Sequence, residues 1–338
     1  MTRITFETMQ STIEQALLNA GLGAKQAALC ARIHTETSCD GIPSHGLNRV
    51  ARFVDYLKKG WVDANAVPER VKSLAVMEVW DGQRGPGITN AILAVDRATE
   101  LAREHGMGLV AMRNTTHWMR GGTYGWRAAE QGMAAICWTN TESCMPAWGG
   151  KNTRLGNNPF VMAVPGKQGP LVLDMAMSQY SYGKLQVTRL NGEQLPYPGG
   201  FDQQGNLTSD PAPIEQSMRI LPTGYWKGSG LAILLDAMAA LLSGGSCTAE
   251  IDTIQQGSCT GASQIFMVFD PAQLSGRDFS DQLAETIQQY VNGSEVAEGF
   301  NHVTWPGQRQ RATRERNRVE GIPVDDGVWQ DVQQLAGR

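Results

Sequence analysis

The feature that most constrains the fold of this 338-residue chain is the position of its paired glycines. Gly106-Met107-Gly108 belongs to a stretch that spells the dinucleotide-binding pattern G-x-G-x-x-A, but it follows a predicted helix and opens a predicted strand. The pattern needs the reverse order, because phosphates bind at the N-terminus of a helix that follows a strand. Gly228-Ser229-Gly230 lacks a clear strand before it, and Gly85-Pro86-Gly87 lacks a third glycine. The sequence therefore predicts no standard Rossmann domain.

Apolar periodicity predicts helices in the first 60 residues and alternating strands and helices from about residue 73. The first helices are expected at 6–21, at 24–39 and directly after Ser44, a favourable N-cap residue. Later strands are predicted at 74–80, 109–113, 134–139, 160–164, 171–175 and 265–269, and later helices at 88–105, 124–130, 231–242 and 281–291. The strands at 160–164 and 171–175 flank a Pro/Gly turn, which predicts antiparallel neighbours.

The segment 180–224 is rich in Gly, Pro, Asn and Gln and shows no clear periodicity, which is typical of a functional covering loop. We expect residues 1–72 and about 300–338 to form a helical domain, and residues 73–299 to form a sheet-containing, cofactor-binding domain. The run Leu231–Leu242 is expected to be a buried helix. It is too short for a membrane span, which needs about 20 apolar residues.

Charge and cysteine content exclude several classes of protein. The chain has 29 Lys+Arg against 33 Asp+Glu, a mildly acidic balance that argues against general nucleic-acid binding. The five arginines between Arg309 and Arg318 alternate with acidic and apolar residues, as on a solvated helix face. The six cysteines include no C-x-x-C pair, and the N-terminus lacks a secretory pattern, so we expect a cytoplasmic protein with free thiols. The five histidines show no zinc-binding spacing.

The strongest candidate for chemistry is Ser44-His45-Gly46-Leu47-Asn48-Arg49. If Ser44 caps a helix, His45 and Arg49 are four residues apart and share one face. An imidazole beside a guanidinium suits a proton transfer next to a bound carboxylate, as in 2-oxo or 2-hydroxy acids. The alternative is an exposed polar helix face.

A second histidine, His117, stands in a polar, glycine-rich segment after a predicted strand, where it either faces a pocket or bonds to loop backbone.

Asp174 at a strand end could accept a hydrogen bond from a ribose, orient a histidine or cap a turn. Amides that could bind phosphate or ribose are expected in two further segments, Trp226–Gly230 and Leu155–Pro159. The alternative is that the first segment only carries a surface lysine and the second is a plain turn. Lys227 also permits a Schiff base. A serine hydrolase is disfavoured because Ile42 stands where a nucleophile elbow needs Gly.

These segments, in this order, resemble the non-Rossmann malate/L-lactate/ureidoglycolate dehydrogenase family over about residues 3–335. The resemblance implies an α/β protein of the α+β type, with a mixed, largely antiparallel sheet flanked by helices and a separate orthogonal helical domain. It also implies an NAD(P)-dependent oxidoreductase acting on CH–OH groups of a small 2-oxo acid, with NADH favoured and NADPH as the other candidate. A homodimer without membrane or nucleic-acid partners is expected. A nonenzymatic nucleotide- or metabolite-binding protein is the alternative from another class.

By position, the resemblance makes His45 the proton donor, His117 a second active-site histidine and rival acid–base group, and Arg49 and Ser44 substrate-binding residues. It implies cofactor contacts at Asn158, Pro170, Leu171, Val172, Leu173, Asp174, Met175, Ala176, Trp226, Lys227, Gly307, Gln308 and Arg309. Asn157 departs from the family, which commonly has Thr in its L-G-T-N-P motif.

Overall fold

The computed structural model describes residues 2–256 and 260–338. Its helices are α1 (Phe6–Asn19), α2 (Ala24–Cys39), α3 (Val50–Lys58), α4 (Gly87–His105), α5 (Gly122–Glu130), α6 (Tyr182–Leu190), α7 (Pro211–Ser217), α8 (Trp226–Ser243), α9 (Thr248–Ile254), α10 (Pro271–Leu274), α11 (Arg277–Asn292), α12 (Gln308–Glu320) and α13 (Asp326–Leu335). Its strands are β1 (Thr2–Ile4), β2 (Glu69–Leu74), β3 (Met77–Asp81), β4 (Met107–Thr115), β5 (Ala134–Thr139), β6 (Met145–Pro146), β7 (Thr153–Leu155), β8 (Phe160–Val164), β9 (Leu171–Met175), β10 (Gly200–Phe201), β11 (Leu207–Thr208), β12 (Ala262–Phe269) and β13 (Ile322–Val324).

The centre of the fold is a seven-stranded sheet in the order β2-β3-β4-β12-β5-β8-β9. Only the β3–β4 pair is parallel, and every other neighbouring pair in this sheet is antiparallel. The β8–β9 pairing confirms the predicted antiparallel neighbours. Gly106 ends α4 and leads directly into β4, so the G-x-G at this point has the helix-to-strand order that excludes a Rossmann site.

Alternation along the strands divides the apolar core into two clusters, one on each face of the sheet. Val110 and Val172 face the cluster that contains α4, α5 and the N-terminal helices. Leu109 and Ala111 face the cluster that contains α8. The chain ends return to the helical layer, where β13 pairs with β1 and α13 packs against α1 and α3.

Four local expectations are wrong in detail. The helix expected after Ser44 starts only at Val50, because two 3₁₀ turns, Pro43–His45 and Leu47–Arg49, precede it. The single strand at 74–80 is part of the β2–β3 hairpin. The segment 180–224 has its own structure, α6, β10, β11 and α7, since short elements this far apart leave little periodic signal.

The fourth difference concerns α8, which was expected to be buried. Leu234 and Leu241 are 62% and 75% exposed, because only one side of the helix packs on the sheet. At 18 residues α8 is also longer than the predicted apolar run, and by length and composition alone it could cross a membrane, a test that a core helix of a globular protein also passes.

Candidate active site

The loop that carries His45 is pressed against α2. Ser38 Oγ accepts a hydrogen bond from Leu47 N at 2.8 Å, and His34 Nδ1 donates to the carbonyl of Gly46 at 3.0 Å. A Cβ at Gly46 would stand 2.2 Å from Ser38 Oγ, so no larger residue fits here. This close approach fixes the two 3₁₀ turns that present His45 and Arg49.

The loop that carries His117 follows β4 and folds back on itself. Met119 has a left-handed backbone, with φ of 64°, and its N–H donates to His117 Nδ1 at 2.9 Å. A ring nitrogen that accepts a hydrogen bond is unprotonated, so the neutral ring carries its proton on Nε2. Such backbone strain is typical of functional sites.

Tertiary packing brings the two histidines together. Their ring centroids lie 5.8 Å apart with planes inclined by 27°, and Ser44 Oγ lies 3.1 Å from His45 Nδ1. Both rings line a cavity of about 250 Å³, which we call the histidine cavity. Its other polar lining residues are Arg49, Arg52, Thr139, Thr141, Glu142, Cys144, Asn157, Ser178, Ser181, Tyr182 and Gln264.

Burial and neighbouring cations keep the histidines neutral. Burial first, and then the charges of Arg49 and Arg120, lower the pKa of His45 to about 4. Burial, followed by Arg49, His45 and Arg52, lowers the pKa of His117 well below its ordinary value. The cavity therefore combines two neutral imidazoles with guanidinium groups, an arrangement suited to an anionic substrate.

Two of the expected cofactor segments meet at the edge of the sheet. β9 spans most of the segment 170–176 and is the terminal strand of the sheet. Its Val172 N donates a hydrogen bond to Pro306 O at 2.9 Å, which places β9 beside Gly307–Arg309. The carboxylate of Asp174 accepts a hydrogen bond from Gly122 N, at the start of α5, at 2.8 Å. Burial raises the pKa of Asp174, while Arg120 and the Gly122 N–H act in the opposite direction.

The other expected cofactor residues lie elsewhere. Trp226 and Lys227 begin α8, on the opposite face of the sheet from Val172, and Trp226 is 63% exposed. Asn158 is buried, and both ends of its amide have protein partners: Oδ1 accepts from Thr141 N and Nδ2 donates to Ala232 O. The neighbouring Asn157, not Asn158, lines the histidine cavity.

Sequence reasoning missed Arg52, Gln264 and the buried pair Asp40–Arg120. Arg52 stands three residues after Arg49, a spacing that places helical side chains on one face. Gln264 is fully buried next to Ser263 in a strand that is apolar from Ile265 onward, and a long polar residue in such a strand is itself a signal. Nothing local predicts that Asp40 meets Arg120, because they are far apart in the chain.

Two neutral imidazoles beside guanidinium groups, on a non-Rossmann α/β scaffold, are the groups that an enzyme needs to transfer a proton next to an anionic substrate. Within residues 2–256 and 260–338 no group of His, Cys, Asp and Glu is arranged to hold a metal ion.

Comparison with known proteins identifies the family. The model of the malate/L-lactate dehydrogenase family matches residues 4–333. The 2,3-diketo-L-gulonate reductase of Citrobacter koseri is 45% identical over 334 residues, 98% of this chain and 100% of the relative. The sulfolactate dehydrogenase structure from Methanocaldococcus jannaschii is 27% identical, with a TM-score of 0.90 over 99% of this chain and 97% of that one. The malate dehydrogenase structure from Pyrococcus horikoshii is 26% identical, with a TM-score of 0.90 over 100% and 95%.

The chain belongs to the malate/L-lactate dehydrogenase family. It is an oxidoreductase that acts on CH–OH groups, and its predicted fold class is confirmed. The family implies a nicotinamide cofactor. The residues present fit this group: Gln264 lines the histidine cavity, and its buried Oε1 has no hydrogen-bond partner in the part of the chain that the structure describes. A carboxamide NH₂, such as that of nicotinamide, would satisfy this acceptor.

Proposed function

We propose that this enzyme reduces a 2-oxo acid to a 2-hydroxy acid with NADH, and that its substrate is 2,3-diketo-L-gulonate, giving 3-dehydro-L-gulonate. The observation that carries the proposal is the histidine cavity, where two neutral imidazoles lie beside Arg49 and Arg52. The 45% identity with a 2,3-diketo-L-gulonate reductase supports this substrate. Malate, L-lactate and ureidoglycolate, or the corresponding oxo acids, are the alternatives.

The side chains divide the chemistry among them. Arg49 holds the substrate carboxylate through two parallel hydrogen bonds, which its planar guanidinium allows. His117 donates its Nε2–H to the carbonyl oxygen, and His45 delivers a proton to that oxygen as it becomes an alkoxide. The anionic substrate offsets the charge of Arg49 and so favours the protonated form of His45. When bound, the cofactor supplies the hydride.

Cofactor binding is proposed to use the edge strand β9 and the segment beside it. Asp174 offers an acceptor for ribose hydroxyls, and Gly307, Gln308 and Arg309 lie next to this strand. Gln264 offers an acceptor for the carboxamide. Trp226 and Lys227 begin a helix on the other face of the sheet, so their contact with the same cofactor needs a route around the β9 edge or a second subunit.

We also propose a cytoplasmic homodimer that forms through α8. The outward side of α8 carries exposed apolar side chains, and monomeric proteins rarely expose a contiguous apolar surface of this kind to solvent. They are Leu231, Ile233, Leu234, Met238 and Leu241. Sedimentation of the wild type and of Leu234→Lys tests this proposal; a wild-type monomer with full activity would contradict it.

The division into a helical domain of 1–72 with 300–338 and a domain of 73–299 is part of the same proposal.

The function is tested by following absorbance at 340 nm. Pyruvate, oxaloacetate, the oxo acid of ureidoglycolate and 2,3-diketo-L-gulonate are each offered with NADH and with NADPH. We expect the largest kcat/KM with 2,3-diketo-L-gulonate and NADH. Oxidation of neither cofactor by any of these acids would favour the nonenzymatic binding protein instead.

A further inference from the structure

A buried chain of ion pairs connects the His117 loop to the cofactor edge of the sheet. Arg120 stands three residues after His117, and its side chain is only 4% exposed. Its Nη1 contacts the carboxylate of Asp40, and its Nε lies 3.6 Å from Asp174 Oδ2. Arg120 therefore bridges the end of α2 and strand β9.

At the Asp40 end, this series of ion pairs is fixed by further contacts. Asp40 is 2% exposed and also accepts hydrogen bonds from Nε and Nη2 of Arg314, at 2.6 and 2.8 Å. Arg314 stacks on the ring of Trp126, 4.5 Å from its centroid. With Asp40 held by Arg314, the position of Arg120 is determined by the fold and not by a ligand.

At the Asp174 end, the series of ion pairs is accessible to a ligand. The side chain of Asp174 is 21% exposed, so a ligand can reach it, unlike Asp40. Its Oδ2 accepts a hydrogen bond from Gly122 N, and a Cβ at Gly122 would stand 2.7 Å from that oxygen, so a larger residue here would displace the carboxylate. Arg120 is the charged group that acts on this carboxylate. The residue paired with Asp174 on β8 is the apolar Val161, and the segment next to β9 contributes the uncharged Pro306 and Gly307, so neither adds a charge beside the carboxylate.

We propose that Arg120 is a positioning residue for the cofactor: it ties the Asp174 carboxylate to Asp40 and so fixes the acceptor that β9 presents to the ribose hydroxyls. This inference rests on the proposed function, since it takes Asp174 as a cofactor contact. A carboxylate in this place binds a hydroxyl well only while it is charged and correctly oriented. Arg120 supplies both conditions to a group whose burial favours the neutral form.

The test is the dissociation constant of NADH, measured by its fluorescence at pH 8 and pH 6. Arg120→Met removes the cation, so the pKa of Asp174 rises further and its carboxylate becomes protonated as the pH falls. We expect the wild-type constant to change less than twofold between these pH values. In Arg120→Met it should be higher than in the wild type at pH 6 and should rise by more than twofold from pH 8 to pH 6.

Arg314→Met is the matched control. It removes an arginine from the same buried Asp40 but does not contact Asp174, so it reproduces structural damage without the electrostatic effect. We expect its NADH constant to show no pH dependence. Equal pH dependence in the two variants, or none in Arg120→Met, would overturn the proposal.

Asp174→Asn provides a second route if Arg120→Met does not fold. It keeps the shape of the side chain and loses the charge, so NADH binding should weaken about tenfold at both pH values. Wild-type affinity in Asp174→Asn would refute the proposal. Failure of the wild type to bind NADH or NADPH at all would instead count against the proposed function.

Discussion

Two cavities of similar size differ in how their charges are balanced. The histidine cavity measures about 250 Å³ and holds two neutral imidazoles beside Arg49 and Arg52. A second cavity of about 310 Å³, the arginine cavity, lies between α2, α5 and α12. Its charged lining residues are Arg32, Glu36, Asp40, Arg120, Arg127, Glu130, Arg314 and Arg318.

In the arginine cavity the charges largely satisfy one another. Asp40 binds Arg120 and Arg314, Arg314 also reaches Glu130 at 3.2 Å, and Arg127 pairs with Asp96 outside the cavity. In the histidine cavity Arg49 and Arg52, with Arg120 acting from the arginine cavity, instead lower the pKa of two imidazoles that can gain or lose a proton. Paired charges therefore join elements of the fold, whereas titratable groups beside a cation are prepared for a reaction.

The largest effect is expected for His45→Asn. Asn keeps a similar size and a hydrogen-bond donor but cannot deliver a proton near neutral pH. We predict that kcat falls by about 10²–10⁴-fold, while the dissociation constant of the cofactor stays near its wild-type value. Stopped-flow and steady-state kinetics at 340 nm measure the first quantity, and fluorescence titration measures the second.

His117→Asn is the control for that assignment, because the two rings stack on one another. If His117 only donates a hydrogen bond, its loss should reduce kcat less than the loss of His45. Full activity in His45→Asn with collapse in His117→Asn would transfer the acid–base role to His117.

The next effect concerns the arginine cavity and should be on stability. Asp40→Asn leaves Arg120 and Arg314 without their buried carboxylate, a change that typically costs about 3–5 kcal/mol. Urea unfolding should show this loss, while kcat at saturating substrate and cofactor changes less than tenfold. Glu315→Gln, which breaks the exposed pair with Arg311, is the control and should cost less than about 0.5 kcal/mol. A loss in Asp40→Asn no larger than in this control would show that the paired charges do not join the fold.

The pH profile sharpens the contrast between the cavities. Since the pKa of His45 is about 4, the protonated fraction needed for reduction increases about tenfold for each unit by which the pH falls, until that pKa is approached. We predict that kcat/KM for reduction rises as the pH is lowered from 8 to 5. Oxidation of the hydroxy acid needs the neutral ring and should be insensitive to pH in this range. A flat profile for reduction would exclude His45 as the acid.

The smallest effect is expected for Arg49→Lys, which keeps the charge but loses the planar pair of donors. Much of this binding already exists before the transition state, so KM for the oxo acid should rise about tenfold with a smaller fall in kcat. Steady-state kinetics at pH 7 distinguish the two. A change in kcat alone would mean that Arg49 acts mainly on the transition state.

The elements that were predicted well are those with strong local signals. α2 at Ala24–Cys39 and the strands β8 and β9 have the expected limits, because apolar spacing and a Pro/Gly turn act within a few residues. The start of α3 was wrong, since Ser44 is a good N-cap in isolation but Gly46 must pack against Ser38. The exposure of α8 was also missed, because an apolar helix has the same composition whether its outer side faces protein or water.

Local sequence patterns are enough to show that this chain is not a Rossmann protein, that helices precede the sheet, and that its motifs occur in the order of one dehydrogenase family. These conclusions depend on residues that are neighbours in the chain. It is the packing of distant segments that brings His45 against His117, lowers the pKa of both by burial, and lets Arg120 connect Asp40 with Asp174. The physical reason is that distances across the fold and removal from water are properties of packing, which local sequence patterns do not encode.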